Sequence, residues 1–349
     1  MNKWKICAKI AAFLAVFMLV GAGFSKVLVP KWVEWEHAAT LYGLEEESLD
    51  VIFAGSSSFY VGFAPTVIWD KTGINSYVLG SSVQAPEVTY LKVADALKEQ
   101  TPKVVVLGVL FLFEEYDVDA HESYVRLGVD PLRMSLEKAA VAMEIAGKSD
   151  GQTLESYLFP LLRYHDRWQE LTEADFHAVG YDEQHGRSTY LQSRIEKIEN
   201  LYGRMDKNAR PAQYNEESLH YYERTIELCQ AKGIEVLLAT APRVDWSAPR
   251  AAAVRQLADR YGLRCVDYND DELLGALEID FDTDFYNEGH LNIKGATKLS
   301  GHMARYLRET YGLPDRRGEA ELAASWEGDV EAFYGSLSWF ERNVLSEVQ

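Results

Sequence analysis

Short apolar runs that stop at glycine or serine recur along this chain and alternate with longer segments of helical period. Val51-Ile52-Phe53-Ala54 runs into Gly55-Ser56-Ser57-Ser58, Ser76-Tyr77-Val78-Leu79 into Gly80-Ser81-Ser82, and Lys103 precedes Val104 to Val109. Runs of this length, closed by small turn residues, predict strands buried on both faces. Between them, Pro65 starts a short helix, where its missing N–H costs nothing, and Gly73 ends it. Glu87 to Gln100 carries Val88, Leu91, Ala94 and Leu97 on one helical face. The rhythm returns late in the chain. A helix over Glu216–Lys232 closes at Gly233, and a strand follows over Ile234–Ala239. Ser247 is placed to cap a helix over Pro249–Tyr261, Gly262 to end it, and Leu263–Tyr268 reads as a fifth strand. Strand alternating with helix predicts an α/β protein, a three-layer α/β/α doubly wound parallel sheet of flavodoxin-like type.

Two regions break the rhythm. Residues of about 114–215 hold a good helix, Ser135 to Ala146, and an aromatic stretch from Tyr157 to Trp168. They read as an insertion covering one side of the sheet. Residues 313–349 read as a helical tail whose Phe333, Tyr334, Leu337, Trp339 and Phe340 either pack back on the domain, the favoured reading, or bind a partner.

At the other end, Lys3, Lys5 and Lys9 precede an uncharged run from Ile10 to Ser25. That run is short for a span of about 20 residues, but Ile6 to Ala8 extend it and Lys9 can snorkel. Residues 1–30 therefore read as an uncleaved signal-anchor, with the basic flank cytoplasmic and everything after about Lys26 outside. Cleavage near Gly23 would instead make a secreted protein. Residues 31–312 are then the α/β domain.

Charge narrows the partners. The net charge of -19 argues against nucleic acid, which needs a basic footprint, and against an anionic lipid surface as the dock for the main domain. Three cysteines, Cys7, Cys229 and Cys265, make no disulfide framework. No Cys/His cluster has metal-ligand spacing and no phosphate-binding glycine pattern follows a strand, so neither a metal nor a cofactor is expected.

The candidate chemistry lies at the strand ends, where open α/β sheets keep their sites. Ser57 follows the first strand. A serine hydroxyl needs a base to take its proton. His290, in the loop Asp282-Thr283-Asp284-Phe285-Tyr286-Asn287-Glu288-Gly289-His290, is the candidate. It stands just outside a helix that Asn292 is placed to cap, off the apolar stripe of Ala296, Leu299, Met303 and Leu307.

Gly55-Ser56-Ser57 early in the chain, with His290-Leu-Asn-Ile-Lys-Gly late in it, resembles the SGNH/GDSL hydrolase superfamily. It is most similar to the membrane-anchored DltD-like and polysaccharide O-acetylation (AlgX/AlgJ-like) members. The resemblance covers roughly residues 50–110 and 234–310. It implies that Ser57 is the nucleophile, that His290 is the base, and that the amides of Ser57 and Gly80 form the oxyanion hole. Where the family has an aspartate three residues before the histidine, this chain has Asn287. Asn287 through its carbonyl oxygen, Asp284 or Asp282 could orient His290, or a Ser–His dyad could act alone. Where the family has an oxyanion asparagine, this chain has Leu110, with Gln84 a candidate helper. His165 and Arg167, in the aromatic stretch, are candidates to bind an anionic or sugar group. The implied activity is transfer of an acyl group from an ester of a cell-envelope polysaccharide or teichoic acid to water or a carbohydrate hydroxyl. The alternative is an inactive assembly protein partnering a membrane O-acyltransferase.

Overall fold

The computed structural model describes residues 3–179, 187, 189–198 and 211–347. Its centre is a five-stranded sheet built from the apolar runs: β1 (Val51–Gly55), β2 (Ser76–Gly80), β3 (Val104–Gly108), β4 (Glu235–Thr240) and β5 (Arg264–Asp267). All pairs are parallel and the order is β2-β1-β3-β4-β5. The chain steps outward from β1 to β2 and then returns to the other side of β1 with β3. That reversal opens a crevice above the carboxyl ends of β1 and β3.

The strands bury both faces, as continuous apolar runs in parallel sheets do. In β1, Val51 and Phe53 face one layer while Ile52 and Ala54 face the other. The first layer holds α3 (Ser57–Gly62), α4 (Pro65–Thr72) and α13 (Ile293–Tyr311), with Phe59, Phe63, Leu299, Met303 and Leu307 in its core. The second holds α5 (Pro86–Ala96), α10 (Glu216–Ala231) and α11 (Ala248–Tyr261). The three-layer α/β/α arrangement is the one the strand–helix alternation predicts. Helix α5 stops at Ala96, short of the expected Gln100, because Leu97 to Gln100 turn to let the Gln100 side chain accept from the amides of Ser48 and Leu49.

Within the insertion, α6 (Glu122–Val129), α7 (Leu136–Gly147), α8 (Leu154–Leu158) and α9 (Leu161–Tyr164) follow one another. Val125, Val129, Val141 and Ile145 pack on Val88 and Leu91 of α5 and Tyr221 of α10, so these helices form a layer outside the second one rather than lying on the sheet. Part of the expected insertion, 180–186, 188 and 199–210, lies outside the described residues. After α12 (Asp271–Ala276) a small hairpin, β6 (Phe285–Asn287) and β7 (His290–Leu291), leads into α13. The tail forms α14 (Ala320–Asn343), whose Trp326 stacks on Trp69 of α4 with ring centroids 5.2 Å apart. At the N-terminus, α1 (Lys3–Leu28) is exposed almost throughout, and α2 (Val33–Gly43) lies at the β2 edge, where Tyr77 donates to the His37 carbonyl (2.6 Å).

Candidate active site

Three glycines end three adjacent strands, and together they seat α3. A side chain on Gly55 or Gly108 would meet the Phe59 ring (2.9 and 2.6 Å), and one on Gly80 would meet the Tyr60 Cβ (2.8 Å). The first turn of α3 therefore presses directly onto the ends of β1, β2 and β3. Ser56 precedes the helix in extended conformation, its Oγ accepting from the Gln84 amide, and Ser57 is the first helical residue. The Ser57 hydroxyl is half-buried at the mouth of the crevice.

His290 arrives from 233 positions away in sequence, and its Nε2 stands 2.7 Å from Ser57 Oγ. The β6–β7 hairpin pairs Asn287 directly with His290. The Asn287 side-chain oxygen accepts from the Gly289 amide (2.9 Å) and lies 2.8 Å from His290 Nδ1. Because a backbone N–H can only donate, the oxygen of the Asn287 amide is the atom turned toward both groups. His290 Nδ1 must then carry the proton, and Nε2 is left with the lone pair that accepts from Ser57. The three residues form one relay, hydroxyl to imidazole to amide oxygen.

Its electrostatics differ from those of a relay ending in a carboxylate. Burial and the neighbouring Arg243 guanidinium lower the His290 pKa to about 4, with Asp245 opposing. Arg243 is held by Asp245 through two contacts (2.6 and 2.7 Å), and its guanidinium lies against Gly289. His290 is thus a neutral, proton-accepting imidazole at any pH above about 5.

The other candidates sort by their partners. Asp284 does not orient His290. It is fully buried, and its carboxylate binds Lys294 (2.9 Å) and Lys298 (2.7 Å) of α13 and accepts from the Asp280 amide. Asp282 is exposed and pairs with Lys197. Gln84 is fully engaged as a brace: its Oε1 accepts from Ser81, and its Nε2 donates to the Leu79 carbonyl and to Thr89. Both hydrogens being committed, it offers none to an oxyanion. His165 is exposed with Nδ1 on the Leu162 carbonyl, and Arg167 binds the Leu28 carbonyl (2.6 Å) and Asp175 (3.0 Å). Arg167 docks the aromatic stretch onto the end of α1, His165 bonds within that stretch, and neither lines the cleft beside Gly80. Gly80 stands in register with Gly55, and the buried Lys92 donates to its carbonyl. Leu110 opens a single 3-10 turn after β3 and has no side-chain donor.

Beside Gly80 and Tyr60 opens a cleft of about 390 Å³. Its walls are aromatic and hydroxylic: Tyr60, Ser81, Ser82, Tyr190 and Tyr286, with Glu34 and His37 from α2. Tyr60 bonds Ser82 (2.7 Å), and burial raises the Tyr60 phenol to about 12, so it remains a neutral donor. Residues 189–198 cross above the site, where the Tyr190 amide bonds the Tyr60 carbonyl and the Ile293 amide bonds the Gln192 carbonyl. The sequence marks Ser81 and Ser82 only as the turn after β2, and does not single out Tyr190, Tyr286, Glu34, His37 or Arg243. The one local signal was position, since Ser82 and Arg243 follow the carboxyl ends of β2 and β4.

By sequence, no protein-family model and no characterised protein matches the chain. Among solved structures it is similar to a Bacteroides fragilis protein described as a "putative acylhydrolase", at 12% identity and a TM-score of 0.38, over 78% of this chain and 95% of that one. A likeness at that level carries no argument about function.

Proposed function

We propose that this chain is a membrane-anchored, extracytoplasmic serine esterase or O-acyltransferase of SGNH/GDSL type, acting on O-acyl groups of a cell-envelope glycopolymer. The observation that carries the reading is the unbroken relay from Ser57 Oγ through His290 to the Asn287 oxygen, at the crevice of the sheet. Nucleophile and base within hydrogen-bond reach, with the base oriented by a third group, is the arrangement acyl transfer requires.

In this mechanism Ser57 Oγ attacks the acyl carbonyl carbon and His290 Nε2 takes the hydroxyl proton. The negative charge that develops on the carbonyl oxygen is held by the amides of Ser57 and Gly80. Collapse breaks the ester bond, and the departing alkoxide takes the proton from His290. Water or a carbohydrate hydroxyl then attacks the acyl carbon of acyl-Ser57, giving its proton to Nε2; the acyl–Oγ bond breaks, Ser57 Oγ takes that proton back from His290, and an acid or a new ester leaves. The aromatic and hydroxyl-lined cleft suits a polyhydroxylated group beside the reacting carbon.

Two observations favour a second reading, an assembly protein of little activity that partners a membrane O-acyltransferase. The relay ends in a neutral amide, and Leu110 supplies no oxyanion donor. Covalent labelling of the full chain by a fluorophosphonate separates the two. The catalytic reading expects labelling that Ser57→Ala abolishes and His290→Ala reduces by roughly 10²-fold or more. An unlabelled, folded wild-type protein would overturn it.

A further inference from the structure

The end of α1 is clamped to the domain. Arg167 donates to the Leu28 carbonyl and pairs with Asp175, whose other oxygen accepts from the Thr172 amide. The last turns of α1 pack against α9 and the 3-10 turns His165–Gln169 and Glu173–Phe176. Only residues 29–32 separate α1 from α2, and Val29 among them is buried. The junction is short and packed against the domain.

Around that junction large apolar side chains face outward. Phe159, Leu162, Trp168 and Phe176 are each more than half exposed, and all lie in, or within two residues of, the elements that touch α1. Beside them a cleft of about 860 Å³ runs between Gly23, Ser25 and Val27 of α1 and Met134, Leu158, Pro160 and Phe176, with Lys26 and Lys31 at its wall. Large exposed apolar groups gathered around one junction mark a surface that is covered in use.

The depth of the patch identifies the cover. The uncharged run of α1 lies between Lys9 and Lys26. Charged residues at the ends of an apolar helix sit at the headgroups, so Lys26 marks the outer interface. The elements that carry the patch touch α1, Arg167 holds its last carbonyl, and Phe176 shares a cleft with Lys26, so the patch belongs to the level where tryptophan and phenylalanine partition. With a net charge of -19, the chain has no general attraction to anionic lipid, so the contact is apolar.

We infer that the domain lies on the bilayer surface with Phe159, Leu162, Trp168 and Phe176 immersed in the lipid interface around the outer end of α1. This rests on α1 being a membrane anchor. It also deepens the functional reading, because the polar cleft beside Gly80 begins at Val33, five positions beyond Leu28. The acyl ester or its acceptor then reaches Ser57 along the membrane plane.

The test uses the full chain, one copy per nanodisc of pure phosphatidylcholine, in a Cys7→Ser/Cys265→Ser background. Spin labels are placed singly through Phe159→Cys, Trp168→Cys and Phe176→Cys, all exposed positions that tolerate a label. References are Phe13→Cys in α1 and Glu272→Cys on α12, beyond the β5 edge and opposite the α2 side of the sheet. Relaxation by oxygen against a water-soluble nickel chelate reports immersion. The expected result is oxygen-rich, nickel-poor values at 159, 168 and 176, with 13 deeper and 272 aqueous. Values at those three positions equal to 272, with 13 immersed, would overturn the surface contact and leave the anchor standing. Position 13 in water would overturn the anchor and the contact together.

Discussion

Asn287→Asp puts a negative charge on the atom that now receives the His290 Nδ1 proton, 2.8 Å away. The new carboxylate would keep the Gly289 amide bond, so the loop has no reason to move. Unit charges about 4 Å apart at an effective dielectric near 20 attract by about 4 kcal/mol, which is roughly 3 pKa units. The imidazole would rise from about 4 to roughly 7. In the transition state the imidazole carries part of that charge, so about 2–3 kcal/mol of barrier is removed, or roughly 10²-fold in rate. The reverse change in a serine protease costs about 10⁴, but much of that comes from a wrong tautomer, and here Asn287 already sets the right one. Neutral His290 is the active form, so the gain has a pH signature. Above pH 8 the variant should be about 10²-fold faster. At pH 5 only about 1% of its imidazole is neutral, so the two enzymes should match. The assay is fluorophosphonate labelling or p-nitrophenyl ester hydrolysis from pH 3.5 to 9, with the acid limb expected near 4 in the wild type and near 7 in the variant. A limb that stays near 4, or a slower variant at every pH, would refute the relay.

Asp284→Asn tests the opposite assignment. It should cost about 2 kcal/mol in urea unfolding by releasing Lys294 and Lys298, yet leave the acid limb of the rate profile where it was; a shifted limb would return Asp284 to the relay. Gly108→Ala forces a methyl into the Phe59 ring at 2.6 Å and should destabilise by about 1–3 kcal/mol, with loss of Ser57 labelling as α3 is displaced; an unchanged midpoint would count against the close seating of that turn. Because folding lowers the His290 pKa, the unfolded chain binds a proton below pH 6.5 that the folded chain refuses until about 4. Stability is therefore lost as pH falls through that window, and His290→Gln should lose about 2–3 kcal/mol less than wild type between pH 7 and 4.5. Trp326→Ala removes the stack on Trp69 and should cost about 3 kcal/mol, whereas a tail that only rests on the surface would cost nothing measurable.

The layered sheet was legible because its causes are local. Val51–Ala54, Val104–Val109 and Ile234–Ala239 announce buried strands by composition alone, and Gly73, Gly233 and Gly262 mark helix ends with positive φ. Ser57 was legible for the same reason: a parallel strand that ends in small residues delivers the next side chain to the crevice. Which residue faces His290 was not. Asp282, Asp284 and Asn287 lie within six positions of one loop, and all three can accept a hydrogen bond. The choice was made by two lysines on one face of α13, at 294 and 298, that capture Asp284, and by a hairpin whose register sets Asn287 against His290. Gln84, His165 and Arg167 carry suitable groups, but packing turned Gln84 into a brace, left His165 on the Leu162 carbonyl of its own stretch, and took Arg167 to the end of α1. Strand and helix are written in neighbouring residues because backbone geometry and burial repeat every two or every three to four positions. A site closed by a contact across 233 positions, and lined by a strap at 189–198, depends on where whole layers come to rest.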